Sequence, residues 1–367
     1  MDIALTSPYA HPHVRRGSER YLAELSGWLA GRGHGVTVVT TAPEPAVVTT
    51  EDGTEVRYLR PGRTLGRGRL HVDALLSTTP AIARGVRGLR IDIAQCHHYV
   101  DAIGLRAGRI GRAVPYVLWL PGAPRRSSVG GRPLHRAAFR LACGGARRIH
   151  ALSRFAASSL EAEFGIASEH VPPGVLTDLY AGPKRPGADP VILCTAAPED
   201  PRKRVALLVR AFPLVLRHRP SARLVLAPVR AEAGTKLLDL LDADPRARAD
   251  VVAGLDFAGL AQLYRDAAVT VLPSVQEAFG LAIVESLAAG TSVVGTNHGA
   301  IPEILDVPGT GRLFEPDDVD DLARAIVEGL DLAGDAGTPD RCRGAACRWD
   351  WSTVGPRLEA AYLSVLG

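Results

Sequence analysis

Apolar runs alternate with amphipathic stretches along the whole of the 367 residues, the pattern of a parallel α/β protein. In the first half the runs predict strands over 3–5, 36–40, 55–59, 91–96, 116–120, 148–151 and 170–171. Between the first two, Leu22, Leu25 and Leu29 fall on one face of a helix, which the turn Arg32-Gly33-His34-Gly35 should end. Residues 182–190 (Gly-Pro-Lys-Arg-Pro-Gly-Ala-Asp-Pro) have the composition of a linker. After them a second series begins, with strands expected over 191–196, 223–227, 251–253, 269–272, 292–295 and 311–314. The pattern therefore predicts two sheet domains, 1–182 and 190–348, that face each other across a cleft, and a terminal helical segment, 349–367, packing back on the first.

Length alone favours two domains, because 367 residues exceed the usual single core. With 46% apolar and 22% charged residues and no polar tract, the chain should be globular throughout. No basic-then-apolar leader opens it, and no apolar run approaches a membrane span. Five cysteines without a CxxC pair fit a reduced compartment, so the expected location is cytoplasmic. Charge is unevenly placed: residues 1–180 hold 23 Arg against 14 acidic side chains, and the remainder 20 basic against 25 acidic. The basic half has clusters at Arg57, Arg60, Arg63, Arg67 and Arg69 and at Arg125, Arg126, Arg132, Arg136 and Arg140. Solvated surface is the plainer reading of both. An anionic acceptor or peripheral membrane contact stays open, and no nucleic-acid partner is expected.

Candidate chemistry gathers at one strand-to-helix junction. Glu277 and Glu285 flank a predicted helix start after the 269–272 run, where parallel sheets bind phosphorylated ligands. The amides of Phe279, Gly280 and Leu281 should be unpaired there, and Gly280 allows close approach. Either carboxylate alone would more often be a helix cap. No GxGxxG follows the first strand, which argues against a dinucleotide-dependent oxidoreductase. The triplets Asp242-Ala243-Asp244 and Asp318-Val319-Asp320 do not end a buried strand, so a chelating Asp-x-Asp and a metal site are not expected.

Several motifs in order resemble the retaining glycosyltransferases of family 4, which have the two-domain GT-B fold. They are Leu263-Tyr264-Arg265-Asp266-Ala267-Ala268, Pro273-Ser274, Glu277-Ala278-Phe279-Gly280-Leu281, Glu285-Ser286-Leu287-Ala288-Ala289-Gly290 and Ile301-Pro302-Glu303-Ile304. The segment Glu199-Asp200-Pro201-Arg202-Lys203-Arg204 is similar to the family's basic donor loop, most closely that of phosphatidylinositol mannosyltransferases. In the first half, Gly17-Ser18-Glu19, residues 92–97 and Pro173-Gly174-Val175 resemble further family segments. The resemblance implies a donor site in which Glu277 contacts the sugar, Glu285 the ribose, and Gly17, Arg202 and the amides of Phe279, Gly280 and Leu281 the rest of the donor. Lys203, with Glu277 the implied catalytic pair, would neutralise the departing diphosphate. The donor would be a UDP-, GDP- or dTDP-linked sugar, the acceptor a hydroxyl compound, anionic, lipid-linked or a secondary metabolite, with no cofactor.

Three departures fall elsewhere. Arg16 replaces a glycine, Ala196-Ala197 a Gly-Arg pair, and Pro121 the histidine of a His-Gly pair. Proline can neither donate nor accept through its side chain. Arg16, His97, His98 and Pro121 are thus the acceptor-side candidates. A second reading, a non-catalytic GT-B subunit that binds nucleotide sugar or supports a partner enzyme, stays open.

Overall fold

The computed structural model describes residues 1–10, 17–62, 74–109, 114–129, 133–184 and 187–367. They form two compact units: Met1–Gly174 with Val354–Gly367, and Val175–Thr353. The stretch read as a linker lies inside the second unit. The chain changes units earlier because Val175 bridges Asp350 and the buried Tyr180 stacks edge-on against Tyr264, which ties 175–184 to the second sheet and its helices.

In the first unit the described strands make one sheet: β1 (Asp2–Thr6), β2 (Gly35–Thr41), β3 (Ala46–Thr49), β4 (Glu55–Leu59), β5 (Ile93–Cys96), β6 (Tyr116–Leu120), β7 (Arg148–Ala151) and β8 (Glu169–His170). Their order is β3-β4-β2-β1-β5-β6-β7-β8, parallel except for β3 against β4. The sequence pattern missed β3, since all four of its residues are exposed and give no buried register to read. β1, β5 and β6 are almost wholly buried, as strands covered on both faces must be.

The second sheet contains β9 (Val191–Cys194), β10 (Arg223–Leu226), β11 (Ala249–Val251), β12 (Val269–Leu272), β13 (Ser292–Thr296) and β14 (Gly311–Phe314). Its order, β11-β10-β9-β12-β13-β14, is all parallel. The chain runs outward from β9 to β11, then returns to place β12 on the other side of β9. The carboxyl ends of β9 and β12 are therefore a topological switch point, where open α/β sheets form a ligand crevice.

The terminal helix spans Trp351–Leu366. Val354, Leu358 and Tyr362 on it are buried, and residues from 354 onward belong to the first unit. Gly355 lies so close to Trp28 that an added Cβ would come within 2.2 Å of the indole. Asp242 and Asp318 sit at the N-caps of helices Ala243–Ala247 and Val319–Ala333, which gives these acids an ordinary structural place. Among the described residues, no helix is long and apolar enough to cross a membrane.

Candidate active site

Two loops of the second unit meet at its switch point. After β9 the chain passes through a single 3-10 turn, Pro201–Lys203, which Asp200 caps by accepting from the Arg202 amide. Arg204 then adopts a left-handed conformation (φ 49°), which turns the chain into helix Val205–His218. After β12 the chain reaches helix Leu281–Ala288 through Gly280, whose φ of 109° suits glycine. The loops are joined twice. Val275 N donates to Arg202 O at 2.8 Å, and Lys203 Nζ lies 2.5 Å from Glu277 Oε2. Both charged side chains keep some exposure, 25% for Lys203 and 17% for Glu277.

The neighbouring arginines have other carboxylates. Arg202 pairs with Asp200 at 2.6 Å and Arg204 with Asp317 at 2.9 Å. Burial works to raise the Asp200 carboxyl, but hydrogen bonds from Arg202 outweigh it and hold the group below its ordinary value. Of the basic triplet, Lys203 is the member aimed at Glu277.

Glu277 is held by its backbone. Ala300 N donates to Glu277 O at 3.0 Å, and Gln276 N donates to His298 Nδ1 at 3.1 Å while Gln276 takes a positive φ of 59°. Gly299 passes so near that a Cβ would stand 2.8 Å from Glu277 O and 2.9 Å from its N. The loop after β13 thus braces the loop after β12. Beyond Glu277, Phe279 is buried edge-on to Trp349, with ring centroids 5.2 Å apart. This anchors the helix start, where the first N–H groups have no intrahelical acceptor and carry the positive end of the helix dipole.

Glu285, one turn into that helix, is 4% exposed. Its Oε2 accepts from Tyr264 Oη at 3.0 Å, and Tyr264 Oη is also 3.0 Å from Thr195 Oγ1. Thr195 directly follows β9, so this chain of hydroxyls spans the switch point. Sequence reading placed Tyr264 in a motif without giving it a role, and missed Thr195, His298 and Gly299. The apolar Ala267–Ala268 junction after Tyr264 and the glycine at 299 were the only local signals of them.

The first unit holds the remaining candidates. Arg16 lies outside the described residues, as do Arg63, Arg67, Arg69 and Arg132 of the basic clusters. Gly17 is the exposed first residue of helix Gly17–Gly31. Pro121 is half-buried just beyond β6. His98 caps helix Tyr99–Gly108 by accepting from Val100 N.

His97, expected beside an acceptor, is instead a core residue, 3% exposed. Its Nδ1 meets Thr6 O at 3.0 Å and its Nε2 meets Gln95 Nε2 at 3.1 Å. Because the amide nitrogen of Gln95 can only donate, the imidazole is neutral with its proton on Nδ1, and burial lowers its pKa to about 4. Tyr362 on the terminal helix donates to Gln95 Oε1 at 2.5 Å. Asp101 completes the cluster, its Oδ2 accepting from Thr6 Oγ1 and His97 N at 2.8 and 2.9 Å. Burial pushes its carboxyl up to about 8 despite those bonds. Among the described residues, no group of three or more His, Cys, Asp or Glu is placed to hold a metal ion.

Comparison with known proteins assigns both halves. Residues 15–179 match the family model described as Glycosyltransferase Family 4, and residues 189–331 match that described as Glycosyl transferases group 1. The chain belongs to the family 4 glycosyltransferases. This glycosyltransferase is 28% identical to D-inositol 3-phosphate glycosyltransferase of Kribbella flavida, over 97% of this chain and 93% of that protein. It is 29% identical to phosphatidyl-myo-inositol mannosyltransferase of Mycobacterium tuberculosis, over 55% of this chain and 56% of that protein. In fold it is similar to sucrose-phosphate synthase from Thermosynechococcus elongatus, with a TM-score of 0.83 and 20% identity over 99% of this chain and 98% of that one. The architecture is GT-B.

Proposed function

We propose that this glycosyltransferase moves a sugar from a nucleoside diphosphate sugar to a hydroxyl acceptor with retention of anomeric configuration, using Lys203 rather than a divalent cation on the leaving group. The observation that carries the proposal is the 2.5 Å contact between Lys203 and Glu277 at the carboxyl ends of β9 and β12, beside a helix N-terminus. An ammonium and helix-end amides together form a receptor for a diphosphate. A carboxylate beside them accepts from sugar hydroxyls, and Glu285 from the ribose.

Charge on the departing diphosphate grows as the glycosidic bond breaks, so a fixed cation there binds the transition state more tightly than the ground state. The acceptor hydroxyl attacks the anomeric carbon from the leaving-group face, and the departing phosphate oxygen takes its proton. Glu277 and Glu285 are then a clamp on the donor and not the acid and nucleophile of a glycosidase. The acceptor class we favour is an anionic polyol, as the names of both relatives and the basic composition of the first 180 residues suggest. The five unpaired cysteines fit a cytoplasmic location.

Thermal-shift titration with UDP-, GDP- and dTDP-sugars tests the donor site. One of them is expected to raise Tm, and no shift with any of the three would count against the assignment. Lys203→Ala is expected to cut kcat by about a hundredfold or more while changing donor Kd by less than about tenfold. An unchanged kcat would remove Lys203 from its role.

A further inference from the structure

We propose that Tyr264 is a positioning residue for donor recognition, which with Thr195 behind it fixes the Glu285 carboxylate and so sets how strongly the enzyme distinguishes a ribose from a 2′-deoxyribose. The proposal rests on the reading of Glu285 as the ribose acceptor and adds to it a phenol that acts through Glu285.

The phenol has little freedom. Tyr264 is wholly buried, its ring is set edge-on to Tyr180 at 5.8 Å, and its carbonyl oxygen accepts from Thr291 Oγ1 at 2.5 Å. Its hydroxyl therefore occupies one place, 3.0 Å from both Glu285 Oε2 and Thr195 Oγ1. A carboxylate oxygen can only accept, so Tyr264 donates to Glu285 and Thr195 donates to Tyr264. The bond to an ionised acceptor is of the stronger, charge-assisted kind.

The three residues come from separate elements. Thr195 follows β9, Tyr264 lies in helix Phe257–Asp266, and Glu285 lies in helix Leu281–Ala288. Anchoring Oε2 restrains the torsion of the Glu285 side chain, which is otherwise set by soft rotations. A carboxylate held in one plane can meet the two hydroxyls of a cis diol together. One free to turn loses part of that discrimination, because a site built to bond a hydroxyl rejects the analogue that lacks it only while its geometry holds.

Calorimetric titration of the full chain with UDP, GDP and ADP and their 2′-deoxy counterparts provides the test. The wild type is expected to bind the ribo form of at least one of the three more tightly than its deoxy form. Tyr264→Phe should shrink that ratio by about fivefold or more, the loss falling mainly on the ribo form because the deoxy form keeps only the 3′-hydroxyl for Glu285 to hold. Thr195→Val should shrink it less, in the same direction. Glu285→Gln should remove most of the preference, and adding Tyr264→Phe to it should change nothing further.

A purely structural role for Tyr264 would weaken ribo and deoxy forms alike. That result, or an unaltered ratio in both Tyr264→Phe and Thr195→Val, overturns the proposal while leaving the donor site in place. Failure of the wild type to bind UDP, GDP or ADP overturns this inference, and the donor reading falls with it only if dTDP also fails to bind. If Tyr264→Phe does not fold, Thr195→Val decides.

Discussion

Gly299 shows how closely the candidate site is built. Its φ of 71° is one that L side chains rarely adopt, and a methyl group there would collide with the backbone of Glu277 on both the amide and the carbonyl side. Gly299→Ala is therefore expected to displace Glu277 and lower kcat about tenfold or more, with a loss of stability of about 1–3 kcal/mol. An activity assay paired with thermal unfolding checks this, and wild-type turnover in the variant would refute it.

Asp101 offers a pH test in the first unit. Its folded pKa of about 8 lies above the ordinary 3.8, so between those values the native state holds the extra proton and stability falls as pH rises. His97 acts oppositely: with about 4 folded against 6.5 ordinarily, it adds stability as pH rises from 4 to 6.5. Of these two groups only Asp101 still titrates above pH 6.5. Asp101→Asn should remove a decline of about 2 kcal/mol between pH 6.5 and 8, read from urea midpoints. The same decline in the variant would exclude Asp101 as its source. At this scale the sequence marked Glu277, Glu285 and Lys203 through their motif neighbours. It could not show that His97 turns inward, because a strand-end histidine looks the same whether its partners are water or Thr6 and Gln95.

Elements were the most legible level. Strands buried on both faces announce themselves as apolar runs, as 116–120 and 269–272 do, and these two together with the half-buried 55–59, 148–151 and 311–314 agree with the structure to the residue. The 251–253 run was placed late, since β11 is Ala249–Val251 and its middle residue, Asp250, is exposed. The exposed edge strand β3 had no apolar pattern to find. Helix contacts were illegible for a related reason: a glycine gives no sign of what lies above it. An added Cβ at Gly355 in the terminal helix would run into Trp28, so Gly355→Ala should force the helix away from Gly17–Gly31, at a cost of about 1–3 kcal/mol. Equal unfolding midpoints for variant and wild type would show that the contact yields without strain.

At the scale of the whole molecule, two parallel sheets could be read from the alternation of runs, but strand order could not, and with it went the switch point that brings Lys203 to Glu277. Unit boundaries were also hidden, because the composition of 182–190 suggests a linker while Tyr180 is packed on Tyr264. Ending the chain at Thr353 should strip Val354, Leu358 and Tyr362 from the first unit, each worth about 1.5–3 kcal/mol of burial. Hydrogen exchange should then quicken in β1 and β5 and stay as it was in β9 and β12. Equal protection in β1 and β5 would rule out that dependence. The same division also orders events during synthesis. The second unit is one unbroken stretch of chain and can close as soon as it leaves the ribosome. The first, although begun earlier, lacks the hydroxyl that Gln95 requires until Tyr362, which follows the whole of the second unit, has been added, so the half that is begun first is the half that finishes folding last.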